Sequence, residues 1–78
     1  MQAYILISTD AGKPWKVAES ALKIDGVKIA HAVTGPFDVV AFVESTSIDE
    51  LGELLEKIHS IDGVLKTQTA ISMPARLE

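Results

Sequence analysis

Ile24-Asp25-Gly26-Val27 recurs as Ile61-Asp62-Gly63-Val64, 37 positions later in a chain of 78 residues. In both places an amphipathic stretch runs in and an extended, β-branched stretch runs out. Asp-Gly after a helical pattern is a stop signal, because glycine takes the left-handed backbone conformation that closes a helix. The valine that follows opens a strand pattern. Two helix-to-strand halves are therefore written into the chain.

Upstream of the first copy, Gln2 to Thr9 is apolar on both alternations, with Ala3, Ile5 and Ile7 on one face and Tyr4 and Leu6 on the other. That predicts a strand buried on both sides. Asp10 to Pro14 is a loop, and Pro14 suits the first turn of a helix. From Trp15 to Ile24, the residues Val17, Ala18, Ala21, Leu22 and Ile24 keep helical spacing, and Trp15 is expected to anchor the helix start. Between the copies, Val27 to Thr34 and Phe37 to Glu44 read as a hairpin broken at Gly35-Pro36. Ser47 with Glu50 matches a capping box for a second helix, whose buried stripe is Ile48, Leu51, Leu55 and Ile58, with Leu54 beside it. Gly52 inside it costs about 1 kcal/mol relative to alanine, so close packing is expected there. Val64 to Met73 is the last strand, ended by Pro74, with Ala75 to Glu78 as a tail.

The order βαββαβ is the ferredoxin-like split motif, a single α+β domain over residues 1–78 with strand order 4-1-3-2 and both helices on one face of a four-stranded antiparallel sheet. The other face is open in a monomer. An antiparallel sheet with one wet face alternates apolar and polar residues. The third strand does not: Phe37, Val39, Ala41 and Val43 lie on one side, Val40 and Phe42 on the other. A second copy of the sheet is the simplest cover, which predicts a homodimer through the open sheet faces. Val39, Ala41 and Val43, with Ile5 and Ile7, are the residues expected at that contact. The competing reading is a monomer with a modest exposed patch.

The chain is 47% hydrophobic and 23% charged, too apolar for a disordered segment. Eleven acids against seven bases give a net charge of −4, with no Lys/Arg stripe to neutralise phosphates, which argues against direct nucleic-acid binding. No cysteine is present, so disulfides and thiolate metal sites are excluded. No apolar run reaches the roughly 20 residues of a membrane helix, and no leader pattern opens the sequence, so the expected location is cytoplasmic with no membrane partner. His31 and His59 lack partner carboxylates at recognisable spacing, and no catalytic, metal or cofactor site is expected.

Two places invite a ligand. At Thr34-Gly35-Pro36-Phe37-Asp38, the turn explains Gly35 and Pro36, but aspartate is depleted in strands. A carboxylate beside a glycine turn could hold a ligand's ammonium. In the last strand Thr67 and Thr69 share a face; threonine is a good strand former, yet two hydroxyls could also hold a zwitterion.

Gly35-x-Phe37-Asp38, set between the two Ile-Asp-Gly-Val turns and followed by a threonine-containing strand, resembles the ligand-binding (RAM) domain of the Lrp/AsnC, or feast/famine, regulators. The resemblance runs from about Ala3 to Met73. It implies sheet-to-sheet dimers, commonly four in a ring, and small effectors, typically amino acids, in clefts between dimers. By resemblance, Gly35, Pro36, Phe37, Asp38, Thr67 and Thr69 lie near such a cleft. Pro36 stands where the family is variable. Full-length members carry an N-terminal helix-turn-helix, whereas this sequence opens at the first strand, so it resembles the stand-alone members. The expected function is a non-catalytic, oligomeric amino-acid-sensing module of transcription regulation, with full-length regulators of the family as a further candidate partner. The rivals are a small dimeric α+β barrel enzyme using His31, Asp38 or Tyr4, a pure oligomerisation module, and an ACT-like amino-acid-binding module.

Overall fold

A computed structural model describes residues 1–73; the expected stop at Pro74 and the tail from Ala75 lie outside the described residues. The elements are β1 (Gln2–Thr9), α1 (Pro14–Leu22), β2 (Val27–Ala32), β3 (Val39–Glu44), α2 (Ile48–His59) and β4 (Val64–Ile71). The sheet order β2-β3-β1-β4 is the expected ferredoxin-like order read from the other edge, and all three pairings are antiparallel.

The repeated tetrapeptide makes the same turn twice. Ile24 N–H donates to the Ala21 carbonyl at 3.0 Å and Val27 N–H to the Ile24 carbonyl at 3.1 Å. In the second copy Ile61 donates to Ile58 at 3.1 Å and Val64 to Ile61 at 3.2 Å. Gly26 and Gly63 hold φ of +97° and +99°, a conformation that other residues adopt only with strain. Ile24 and Ile61 tuck against the core beside these turns.

Helix α2 starts as its sequence demands, with the Glu50 N–H donating to Ser47 Oγ at 3.1 Å. The return contact is displaced by one residue from a standard capping box: Glu50 accepts from the Thr46 N–H and hydroxyl, not from the Ser47 N–H. Gly52 faces open space, so the close packing expected there is absent: a Cβ would meet nothing within 4 Å. Helix α1 has Pro14 in its first turn and buries Val17, Ala18 and Ala21. Trp15 is not an anchor. It is 70% exposed and borders a groove between α1 and β2.

The core corrects the assignment of faces. Ile5, Ile7, Val39, Ala41 and Val43, expected at a dimer contact, are all fully buried within one chain, packed with Val17, Leu51, Leu54 and Ile58 of the helices. Paired strand residues share a face, so the register Ile5↔Ala41 and Ile7↔Val39 carries this set together to the helix side. The open face is the other alternation: Tyr4 opposite Phe42 and Leu6 opposite Val40.

Candidate functional site

The turn between β2 and β3 is built around Asp38. Its N–H donates to the Ile7 carbonyl at 2.9 Å, and its carbonyl accepts from the Val33 N–H at 2.9 Å. Its carboxylate Oδ2 accepts from the Thr9 N–H at 2.8 Å. The β1–β3 ladder ends at Ile7↔Val39, so the carboxylate stands in for the carbonyl that β3 no longer offers to the end of β1. This accounts for an aspartate at a strand start. One carboxylate oxygen is thereby committed to the fold, while Oδ1 has no partner among the described residues. Gly35, at φ +103°, and Phe37 present N–H groups without an acceptor among the described residues. Pro36 has no N–H to offer. The turn thus holds free donors next to a free carboxylate oxygen, the two polarities that a zwitterion needs.

Thr67 and Thr69 lie on the helix side of the edge strand β4, opposite Ile7 and Ile5. Thr67 Oγ1 is 2.7 Å from His59 Nε2, which ties the end of α2 to the sheet. The bond from His59 to Thr67, formed across the second turn, carries no local signal in the sequence. Thr69 is exposed, and its hydroxyl is free among the described residues. Strand β1 stands between the threonines and Asp38, two strand spacings, or about 10 Å. One chain therefore does not bring the turn and the threonines into a single pocket.

The open face carries an apolar surface. Tyr4, Ile29, His31, Val40 and Phe42 line a groove of about 330 Å³. The Tyr4 and Phe42 rings are 5.2 Å apart and tilted by 50°, within the range of favourable aromatic pairs. A bulge at Lys28, where the register shifts between Val27 and Ile29, turns Ile29 and His31 onto this face. On the far side β4 contributes Lys66, Gln68 and Ala70. The enzyme candidates Tyr4 and His31 do share this groove, but Asp38 is not among its lining residues, and the groove is open rather than a closed cavity.

Two further surfaces flank the helices. Asp25, Lys28, Glu44, Glu50, Glu53 and Lys57 border a cleft of about 410 Å³ of mixed charge. Within it, the hydrogen bonds from the Thr46 hydroxyl and N–H hold the Glu50 carboxyl below its ordinary range. Among the described residues, no group of three or more metal-ligating side chains could hold a metal ion. Along α1 and β2, Trp15, Ala18, Leu22, Ala30 and Ala32 line a shallow groove of about 330 Å³ that also reaches Glu19 and His31. Among the described residues, no helix is long and apolar enough to cross a membrane.

The chain is a four-stranded ferredoxin-like sheet with a glycine–aspartate turn at one end of its central strands. The family model for the Lrp/AsnC ligand binding domain matches residues 2–77, and the chain belongs to that family. It is 35% identical over its whole length to the HTH-type transcriptional regulator FL11 of Pyrococcus abyssi, covering 52% of that protein. The chain thus spans about half the length of the curated relatives it matches. Among solved structures it resembles TTHA0845 from Thermus thermophilus, with TM-score 0.89 and 28% identity, covering 99% of this chain and 98% of that one. It also resembles AsnC of E. coli, with TM-score 0.86 and 26% identity, covering 99% of this chain and 53% of that one.

Proposed function

We propose that this domain is an amino-acid sensor whose binding site is completed only when copies associate. The observation that carries the reading is the separation of the two candidate half-sites. The free donors of Gly35 and Phe37 and the free Oδ1 of Asp38 lie on one flank of β1, and Thr67 and Thr69 lie on the other. A ligand that needs both must take one half-site from each of two chains. Binding at such a seam alters assembly, because a ligand shifts equilibria between states that it binds unequally. A feast or famine regulatory protein of M. tuberculosis was solved in complex with L-methionine; at 23% identity it shares the fold with this chain, and it makes amino acids the first probes to try.

The sheet faces supply the primary contact. Tyr4, Leu6, Ile29, Val40 and Phe42 form an apolar surface that no element among the described residues covers, the kind of patch that marks an interaction site. A second copy would present the same apolar face, and dimers of this kind would assemble further, in the ring of four that the family resemblance implies. The same domain accounts for nearly the whole of the solved TTHA0845 chain, of which this chain covers 98%. Such a module would act in the cytoplasm, by sensing alone or by joining full-length regulators of the family.

The test is a thermal-shift panel of the twenty amino acids. A ligand at 100 times its dissociation constant stabilises by about 2.7 kcal/mol, and 1 kcal/mol moves the midpoint of a domain this size by roughly 4–8 °C. One chemical group of amino acids is expected to raise the midpoint, and Thr69→Val is expected to reduce the rise without changing the ligand-free midpoint. A flat panel refutes amino-acid sensing.

A further inference from the structure

His31 is the one side chain within the apolar groove of the open face that ordinarily changes charge between pH 5 and 8. Among the described residues, no carboxylate or cation lines the groove beside it. Val40 lies directly opposite on β3, Ile29 precedes it on the same face of β2, and Phe42 and Tyr4 complete the groove. Among the described residues, the charged groups nearest this face lie outside the groove: Asp38, two positions before Val40, has Oδ2 bonded to the Thr9 N–H, Lys66 is on β4, beyond β1, and Glu44 is at the far end of β3, opposite Gln2. From the helix layer, Glu19 of α1 borders the separate groove on the outer side of β2, which His31 also reaches. Lys28, at the bulge, borders the clefts beside α2 instead.

The apolar surface is also off-centre. It spans β2, β3 and β1, while β4 shows Lys66 and Gln68 on the same face. A second sheet that covers the apolar part therefore covers the β2 side, where His31 sits.

We propose that protonation of His31 opens the sheet-to-sheet contact, so that assembly of this domain weakens as pH falls from neutral to mildly acidic. The inference rests on the sheet-face dimer proposed above. A neutral imidazole tolerates an apolar seam, whereas an imidazolium without a carboxylate must be returned to water. The sign follows from linkage: the separated chains bind the proton more tightly than the dimer does, so acid favours separation. With one His31 in each chain and protonation fully excluded in the dimer, separation takes up at most two protons, so the dissociation constant rises by at most about 100-fold per pH unit as pH falls.

The experiment is sedimentation velocity over a dilution series at about pH 7.5 and about pH 5.5, for the native chain and for His31→Gln, His59→Gln and Phe42→Glu, with circular dichroism to verify folding. The expected result is a dimer at the higher pH that weakens at least 10-fold at the lower, a flat response in His31→Gln, and an unchanged response in His59→Gln. A native dimer equally tight or tighter in acid overturns the inference and leaves the sheet-face reading standing. A His31→Gln response equal to the native one does the same. A native monomer at the higher pH, or a dimer indifferent to Phe42→Glu, overturns the sheet-face reading and this inference with it.

Discussion

Replacing Gly26 by alanine tests whether the repeated turn is fixed by backbone geometry or merely tolerated. At φ +97° the new side chain is strained wherever it points, which costs roughly 1–2 kcal/mol. Its Cβ would also lie 2.8 Å from Leu54 Cδ1 and 3.1 Å from the Glu44 carbonyl oxygen. Leu54 can rotate away, but the Glu44 backbone cannot, because the Glu44 N–H is bonded to the Gly26 carbonyl at 2.9 Å. Overpacking of this kind adds about 1–3 kcal/mol. The sum, on the order of 2–5 kcal/mol, corresponds to a midpoint lower by roughly 8–40 °C. Gly63→Ala meets Lys13 Cδ and Val17 Cγ2 at 3.3 Å, both side-chain atoms, and should cost less. Gly35→Ala meets nothing within 4 Å and should show the backbone strain alone. Thermal unfolding followed by circular dichroism at one protein concentration ranks the three. A Gly26→Ala protein no less stable than Gly35→Ala would refute the reasoning.

Other outcomes follow from particular contacts. Asp38→Ala removes the acceptor of the Thr9 N–H and should lower urea stability by about 1–3 kcal/mol even without ligand; Asp38→Asn, which keeps an acceptor, should recover most of that loss. Gly52→Ala, on an exposed helix position with no neighbour in the way, should raise the melting midpoint by a few degrees, reflecting about 0.5–1 kcal/mol. The Glu50 carboxyl titrates below its unfolded value because of Thr46, so its stabilisation is present above the unfolded pKa and is lost as pH falls through the folded one; acid unfolding of Glu50→Gln should lack that component. Trp15 should fluoresce as a water-exposed indole in the separated chain and be readily quenched by acrylamide.

The architecture was legible because Ile-Asp-Gly-Val states the same turn twice, and both turns form with the same hydrogen bonds. The faces of the sheet were not. Strands β1 and β3 are apolar on both alternations, and period-two reading cannot say which set meets the helices. In the structure the compact set, Ala3, Ile5, Ile7, Val39, Ala41 and Val43, packs under the helices, and the aromatic pair Tyr4 and Phe42 takes the open face. Asp38 stood out in the sequence as a misplaced strand residue, yet its contact with Thr9 spans 29 positions and has no local signature. Trp15 misled because a lone tryptophan reads as a packing anchor, while at the first turn of α1 it is left 70% exposed at the rim of a groove beside β2. The Lys28 bulge that places His31 on the open face is likewise a pairing event, invisible in β2 alone.

Native mass spectrometry of the chain with each of the twenty amino acids tests the central claim most directly, because it weighs the assembly and the ligand together. The account predicts even-numbered assemblies that carry amino acid, and monomers that carry none. Amino acid bound to a monomer, or assemblies that form and take up none of the twenty, would contradict it.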